Sequence, residues 1–150
     1  MTPIRNPILI SACLIGINSR YNGTNAVRRD LIKRYANKIL IPVCPEQLGG
    51  LPTPRPQAEI TPPCSPSLSK RGAGGVVIDI TGKDVTKEFI HGADEVLKIV
   101  RLLGAKKALL KEKSPSCGVR LIYRNGEIIN GMGITAQLLK NNGIEVEGID

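Results

Sequence analysis

Short apolar segments alternate with segments of helical character along this chain, and this alternation restricts the folds that it can adopt. Runs rich in β-branched residues predict strands at 7–12, 38–43, 76–80, 105–110 and 144–146. Strands that alternate with helices are typical of a mainly parallel sheet covered by helices on both faces. We therefore predict a single-domain α/β fold of the Rossmann-like kind over residues 1–150.

Three helices are predicted between these strands from apolar residues at helical spacing. Asn25 is expected to cap the first helix and Asp84 the longest one, which Gly104 ends. A short helix is predicted at 135–140. The buried stripe of the longest helix is predicted to consist of Phe89, Ala93, Val96, Leu97, Val100 and Leu103.

Two segments depart from the alternating pattern. Asn125-Gly126 lies between the apolar runs 121–124 and 127–129, which predicts a β-hairpin. The stretch 45–75 contains seven prolines and five glycines, so it is expected to be largely irregular. Within it, 61–75 is predicted to be a flexible insertion.

The net charge of +8 indicates an anionic partner, either a nucleotide phosphate or RNA, unless the lysines only solvate the surface. Aromatic residues make up only 3% of the chain, which disfavours nucleic acid because single strands are usually gripped by base stacking. No apolar run approaches the roughly 20 residues of a membrane span. We expect a cytoplasmic protein without membrane contact, acting as a monomer or homodimer on a small molecule.

Three of the four cysteines follow predicted strands. Cys13 comes after the first strand, Cys44 after the second, and Cys117 lies in the loop after the strand 105–110. Ligand sites of open parallel sheets lie outside the carboxyl ends of the strands. These three cysteines, although distant in sequence, are therefore expected to meet at one edge of the sheet.

Several roles remain open for these cysteines. Buried, inert packing is common for cysteine. A zinc site with His91 is another alternative, and Cys64 is a candidate fourth ligand. Three thiolates also suit a [4Fe–4S] cluster that leaves one iron open to act as a Lewis acid. Soft iron would then favour a sulfur-bearing substrate.

Polar residues near the cysteines suggest further chemistry. Glu46 is either a general acid/base or a loop carboxylate paired with Arg55. The hydroxyls of Ser114 and Ser116 could position water or substrate, and the guanidinium groups of Arg20 and Arg55 suit a phosphate.

A glycine motif stands near the end of the chain. The segment 131–136 weakly fits the dinucleotide pattern G-x-G-x-x-A. A phosphate held at the helix N-terminus and simple packing of a tight turn are the alternatives to dinucleotide binding.

Four motifs together resemble the TudS-like thiouracil and thiouridine desulfidase family over essentially the whole chain. They are Ser-Ala-Cys-Leu-Ile-Gly at 11–16, Cys-Pro-Glu-Gln-Leu-Gly-Gly-Leu-Pro-Thr-Pro-Arg at 44–55, Asp-Val-Thr at 84–86 and Ser-Pro-Ser-Cys-Gly at 114–118. The resemblance implies a [4Fe–4S] cluster on Cys13, Cys44 and Cys117, with Cys64 left out. It also implies that Glu46 and Ser114 form the catalytic pair.

The implied reaction is hydrolysis of a C–S bond in a thiolated uracil base or thiouridine nucleotide, giving the oxo base and hydrogen sulfide. Residues expected to contact the substrate are Ser11, Arg20, Tyr21, Asn22, Gly49, Gly50, Arg55 and Ser116. The alternatives are a non-catalytic iron–sulfur or zinc protein that carries sulfur or binds RNA, and a tRNA-thiolating enzyme. The last is disfavoured because the chain has no P-loop.

Overall fold

The computed structural model describes residues 6–61 and 76–150. In chain order the elements are β1 (Ile8–Ser11), α1 (Arg29–Arg34), β2 (Leu40–Val43), α2 (Pro45–Leu48), β3 (Ala58–Thr61), β4 (Val76–Asp79), α3 (Thr86–Leu103), β5 (Lys107–Lys111), β6 (Leu121–Arg124), β7 (Glu127–Asn130), α4 (Ile134–Asn141) and β8 (Glu145–Ile149). A single turn of 3₁₀-helix, Ala12–Ile15, follows β1 directly.

Four parallel strands form the central sheet, in the order β2-β1-β5-β8. β3 with β4, and β6 with β7, form two antiparallel pairs beside it. The predicted α/β class and the predicted hairpin are both confirmed. Pro42 lies in β2, at the edge of the central sheet, where a strand tolerates the missing amide hydrogen.

Alternating side chains of the strands build a core on each face of the sheet. Leu9 of β1 and Leu110 of β5 pack with Val96 of α3 and Leu139 of α4. On the other face the neighbouring strand residues contact the 3₁₀ turn and α1; these are Ile8, Ile10, Leu109 and Ile149, with Leu14 and Leu31. Helices therefore cover both faces, as predicted.

The predicted helix starts differ from the observed ones. Asn25 does not cap α1, because its Oδ1 accepts a hydrogen bond from the backbone N–H of Val27 and forms a turn before the helix. Asp84 lies two residues before the start of α3 and accepts from the backbone N–H of Thr86. Leu103, predicted to be buried, is 41% exposed at the last residue of α3. Gly104 ends α3 in the left-handed conformation, as predicted.

The start of the proline-rich stretch contains two regular elements that were not predicted. Pro45 opens the short helix α2, where the fixed φ of proline is compatible with the first turn. After Pro56 the chain forms β3, which pairs with β4 and was missed. The rest of the predicted insertion, 62–75 with Cys64, lies outside the described residues. Among the described residues, no helix is both long and apolar enough to cross a membrane.

Two glycines bring α2 against α3. A Cβ atom on Gly49 would overlap the carbonyl oxygen of Glu88, and a Cβ on Gly92 would overlap the carbonyl oxygen of Pro45. The two backbones are therefore in direct contact, and only glycine fits at either position. This contact holds the start of α2, and with it the segment after Cys44, on the helical layer.

We expect Gly92→Ala to destabilise the protein, although alanine is the better helix former. Helix propensity alone would stabilise it by about 1 kcal/mol. The added methyl group must instead separate two packed backbones, which costs about 1–3 kcal/mol. Chemical denaturation measures the difference. The matched control is Asp94→Ala at an exposed position of the same helix, which should change the stability by less than about 0.5 kcal/mol; a stabilised Gly92→Ala variant would contradict the packing argument.

Candidate functional site

A cavity of about 460 Å³ opens at the carboxyl edge of the parallel sheet. Its wall includes the ends of three strands, Ser11 of β1, Val43 of β2 and Lys111 of β5. Parallel strands that end together leave their following loops free to build a site there. The cavity is therefore where a fold of this class places its ligand.

The structure brings the three predicted cysteines into the wall of this cavity. Cys13 lies in the 3₁₀ turn after β1, Cys44 precedes α2, and Cys117 lies in the loop after β5. Cys13 and Cys117 are buried and Cys44 is partly exposed; all three are free thiols. Each cysteine comes from a different strand end, as the sequence pattern predicts.

The three thiols are close enough to affect one another electrostatically. Burial raises the pKa of the Cys117 thiol to about 12, with a smaller contribution in the same direction from Cys44 and Cys13. Burial also raises the pKa values of Cys13 and Cys44, and the Lys111 and Arg20 cations oppose the shift at Cys13. Thiols in such an environment bind metal only when the metal displaces their protons.

The three donors are cysteine sulfurs, the ligand type that holds iron–sulfur clusters. Among residues 6–61 and 76–150, no three His, Cys, Asp or Glu side chains converge tightly enough to hold one metal ion. His91, the alternative zinc ligand, is 61% exposed on α3 and does not line the cavity.

Hydroxyl groups surround the sulfur of Cys117. Ser114 Oγ accepts from the backbone N–H groups of Ser116 and Cys117, both at 3.1 Å, and lies 3.0 Å from Ser116 Oγ. Ser116 Oγ donates to the Cys117 sulfur at 3.6 Å, and the hydroxyls of Ser11 and Ser116 both act to lower the pKa of the Cys117 thiol. Both lone pairs of Ser114 are thus used, so its own proton is left to donate to Ser116 or to a molecule in the cavity.

The N-terminus of α4 supports the cysteine loop from behind. The backbone N–H of Ile134 donates to the carbonyl of Pro115, and those of Thr135 and Ala136 donate to the carbonyl of Ser116. A Cβ on Gly133 would lie 2.6 Å from that Ser116 carbonyl oxygen. The N–H groups that would bind a phosphate are therefore occupied, and the glycine motif serves close packing.

Glu46 and Arg55 form an ion pair beside Cys44. Arg55 Nη2 lies 2.8 Å from Glu46 Oε2, 2.9 Å from the carbonyl oxygen of Ser19 and 3.9 Å from Cys44 Sγ. The Arg55 side chain is only 3% exposed. Arg55 thus ties the loop after β1 to the segment after β2 and is engaged by the protein rather than open to a phosphate.

The other residues predicted to bind substrate divide into two groups. Ser11, Arg20, Tyr21 and Ser116 line the cavity, as does Arg55. Asn22 does not, because its Oδ1 accepts from the backbone and hydroxyl of Thr24 in an exposed turn. Gly49 lies against α3, and Gly50 is exposed in a left-handed turn, so the structure brings neither into the cavity.

Comparison with known proteins identifies the family of this chain and supports its fold. A model of the 2-thiouracil desulfurase family matches residues 8–149, which include all three cavity cysteines. This chain belongs to the 2-thiouracil desulfurase family. An uncharacterized Bacillus subtilis (strain 168) protein, YbbK, is 39% identical over 142 residues, covering 93% of each chain. The solved structure of a [4Fe-4S]-dependent thiouracil desulfidase, TudS, superposes with a TM-score of 0.82 at 39% identity, over 96% of this chain and 91% of that one.

The predicted resemblance to TudS-like desulfidases is thereby confirmed, and the chain is an enzyme of the thiouracil desulfidase type at the level of its family.

Within this desulfurase fold, sequence inspection missed several residues of the cavity wall. Lys111 ends β5 and Glu112 and Lys113 follow it; all three line the cavity, and Asp150 forms ion pairs with both lysines. Their position after a strand is the same signal that identified the cysteines, and it went unused because surface lysines are common.

Proposed function

We propose that this chain is a [4Fe–4S]-dependent desulfidase that hydrolyses the C–S bond of a thiolated uracil base or thiouridine nucleotide. One observation supports the proposal above all. Cys13, Cys44 and Cys117 come from three strand ends and line a single cavity. Glu46 and Ser114 line the same cavity. The overall reaction converts the thiocarbonyl and one water to a carbonyl and hydrogen sulfide. No net oxidation or reduction takes place, so no separate oxidant or reductant is required.

The three cysteines would hold the cluster as thiolates, and its remaining iron would supply a Lewis acid for the substrate sulfur. Cys64, outside the described residues, is not needed in this arrangement. Three protein ligands, rather than four, are what leave a coordination position for chemistry.

Glu46 is proposed to move the protons of the reaction. Its Oε2 is engaged by Arg55, while its Oε1 has no hydrogen-bond partner among the described residues. Such an oxygen can take a proton from the attacking water and return it as the sulfur leaves. Arg55 then has a positioning role, because it fixes the plane of the carboxylate through a bond inside the protein.

Ser114 is proposed to act as a hydrogen-bond donor toward the substrate. The two backbone N–H groups that its Oγ accepts fix the position of the oxygen and leave only its proton free. When a ring oxygen or nitrogen of the substrate enters the cavity, that proton can turn from Ser116 to the substrate. The substrate is thereby oriented without any movement of the cysteine loop.

Arg20 in the cavity wall supports an anionic substrate such as a nucleotide. Arg20, Lys111 and Lys113 line the cavity together with Asp150, which contacts both lysines. Arg20 lies over the ring of Tyr21, 6.0 Å from its centroid, and has no carboxylate partner among the described residues. This leaves one guanidinium group available for a phosphate.

We expect Arg20→Met to raise KM for 4-thiouridine monophosphate by about 10- to 100-fold, the loss associated with a hydrogen bond between charged groups. The KM for 4-thiouridine itself should change little, because the nucleoside lacks the phosphate. Steady-state sulfide release with both substrates measures the difference. Arg34→Met, at an exposed position of α1, is the control; an equal change for both substrates would remove Arg20 from phosphate recognition.

The alternative is a non-catalytic protein that carries sulfur or binds RNA, and the origin of the product oxygen distinguishes the two. The cluster-loaded protein is incubated anaerobically with 2-thiouracil or a thiouridine in ¹⁸O-labelled water. Hydrolysis predicts an oxo base that contains one labelled oxygen, with free sulfide in equal amount. Recovery of the unchanged thio compound, bound or free, would support the carrier instead.

A further inference from the structure

We propose that Glu112 is a positioning residue that fixes the loop carrying Cys117, so that this cysteine faces the cavity. The consequence for a cluster rests on the proposed function, whereas the positioning of the thiol does not. Glu112 follows β5 and is 1% exposed, one of the most buried polar residues among those described. Nothing in the proposed chemistry uses it as an acid or base.

The Glu112 carboxylate binds the backbone that follows Cys117. Its Oε1 accepts from the N–H groups of Val119 at 2.7 Å, Arg120 at 3.0 Å and Leu121 at 3.3 Å. Its Oε2 accepts from Nε of Arg120 at 3.1 Å. A buried carboxylate is costly unless such bonds compensate it, and here four donors converge on one group.

These bonds close the loop around Cys117. At its entrance the N–H of Lys113 donates to the carbonyl of Leu121, and within it the N–H of Gly118 donates to the carbonyl of Ser114. The N–H groups of Val119 and Arg120 have no acceptor among the described residues other than Glu112. Without the carboxylate, the exit of the loop would lose the bonds that hold it.

Gly148 of β8 makes room for this carboxylate. β5 and β8 are neighbours in the sheet, and Gly148 pairs with Leu110. A Cβ on Gly148 would overlap Glu112 Oε2. Gly148→Ala should therefore displace the carboxylate without changing its chemistry, which offers a second, independent way to disturb the same contact.

Thiol reactivity of the full-length chain prepared without iron tests the proposal. N-ethylmaleimide is added at fixed pH, and peptide mass spectrometry gives separate modification rates for Cys13, Cys44 and Cys117. Glu112→Gln should raise the rate at Cys117 by at least about tenfold, because buried N–H groups lose a charged acceptor. The rates at Cys13 and Cys44, held by other loops, should stay within about twofold.

Glu59→Gln is the matched control. Glu59 also accepts from two backbone N–H groups, those of Asn125 and Gly126 at 2.6 and 3.1 Å, but in a hairpin turn outside the cavity wall. Glu59→Gln should leave the rate of Cys117 alkylation unchanged. Gly148→Ala should reproduce the effect of Glu112→Gln, and the double variant should show little more than either alone because both act on one contact.

Two results would overturn the proposal. An unchanged Cys117 rate in both Glu112→Gln and Gly148→Ala would show that the loop holds without the carboxylate. Equal acceleration at all three cysteines would show general destabilisation rather than positioning. The cluster-loaded protein provides an independent measurement, because the rate of iron release to a chelator should be about tenfold higher in Glu112→Gln. If no cluster assembles in the wild type, the proposed function fails but the alkylation rates still decide the role of Glu112.

Discussion

Replacing Cys13, Cys44 or Cys117 singly by serine should abolish the visible absorbance and the bound iron of the anaerobically reconstituted protein. The three cysteines line the same cavity, each from a different strand end, so no other described cysteine can substitute for a lost one. A serine oxygen is a poor replacement for the soft thiolate that iron–sulfur clusters require. Iron and acid-labile sulfide content per chain provide the measurement, and sulfide release should fall with them.

Cys64→Ser is the control for these three variants. Cys64 lies outside the described residues, and the three-ligand arrangement has no place for it. Its replacement should leave the iron content, the absorbance and the turnover unchanged. A colourless Cys64→Ser protein would mean that the cluster has four protein ligands, and then the open iron of the proposed mechanism would be lost.

Glu46→Gln should retain the cluster and lose most of its turnover. The amide keeps the size of the side chain and can still accept from Arg55, whereas it cannot take a proton from water. The loss of a general acid/base is worth about 10²- to 10⁴-fold, so the sulfide released per cluster should fall by that amount. Single-turnover sulfide release, normalised to the iron content of each preparation, measures it.

Glu127→Gln, in the exposed strand β7, is the matched control and should be as active as the wild type. The thermal unfolding of both variants is recorded so that a loss of folded protein is not mistaken for a loss of chemistry. Retention of full cluster-normalised activity in Glu46→Gln would remove Glu46 from proton transfer and limit it to its ion pair with Arg55.

The position of the cysteines could be predicted because it depends on regular elements. Parallel strands end at one edge, so a cysteine just after each of three strands needs no further information to be placed. A separate local signal, the Asn125-Gly126 turn between two apolar runs, predicted the hairpin, and both residues adopt positive φ. Local patterns with one dominant physical cause were sufficient for these features.

The features that could not be predicted depend on contacts between distant segments. β3 exists because it pairs with β4 across a stretch of prolines and glycines, and pairing partners are not visible in a local pattern. Gly49 was expected at the substrate but packs on Gly92, 43 positions further along the chain, which only the fold brings near. Glu112 resembles any charged residue between two lysines until four hydrogen bonds converge on it.

Sulfide release by the cluster-loaded protein decides whether this chain is a desulfidase. The protein is reconstituted anaerobically, its iron content is measured, and it is incubated with 2-thiouracil, 4-thiouridine and 4-thiouridine monophosphate in turn. We expect repeated turnovers per cluster with at least one of these substrates, giving the oxo base and an equal amount of sulfide, and no turnover with the Cys117→Ser protein. A fully loaded protein that releases no sulfide from any of the three would contradict this expectation.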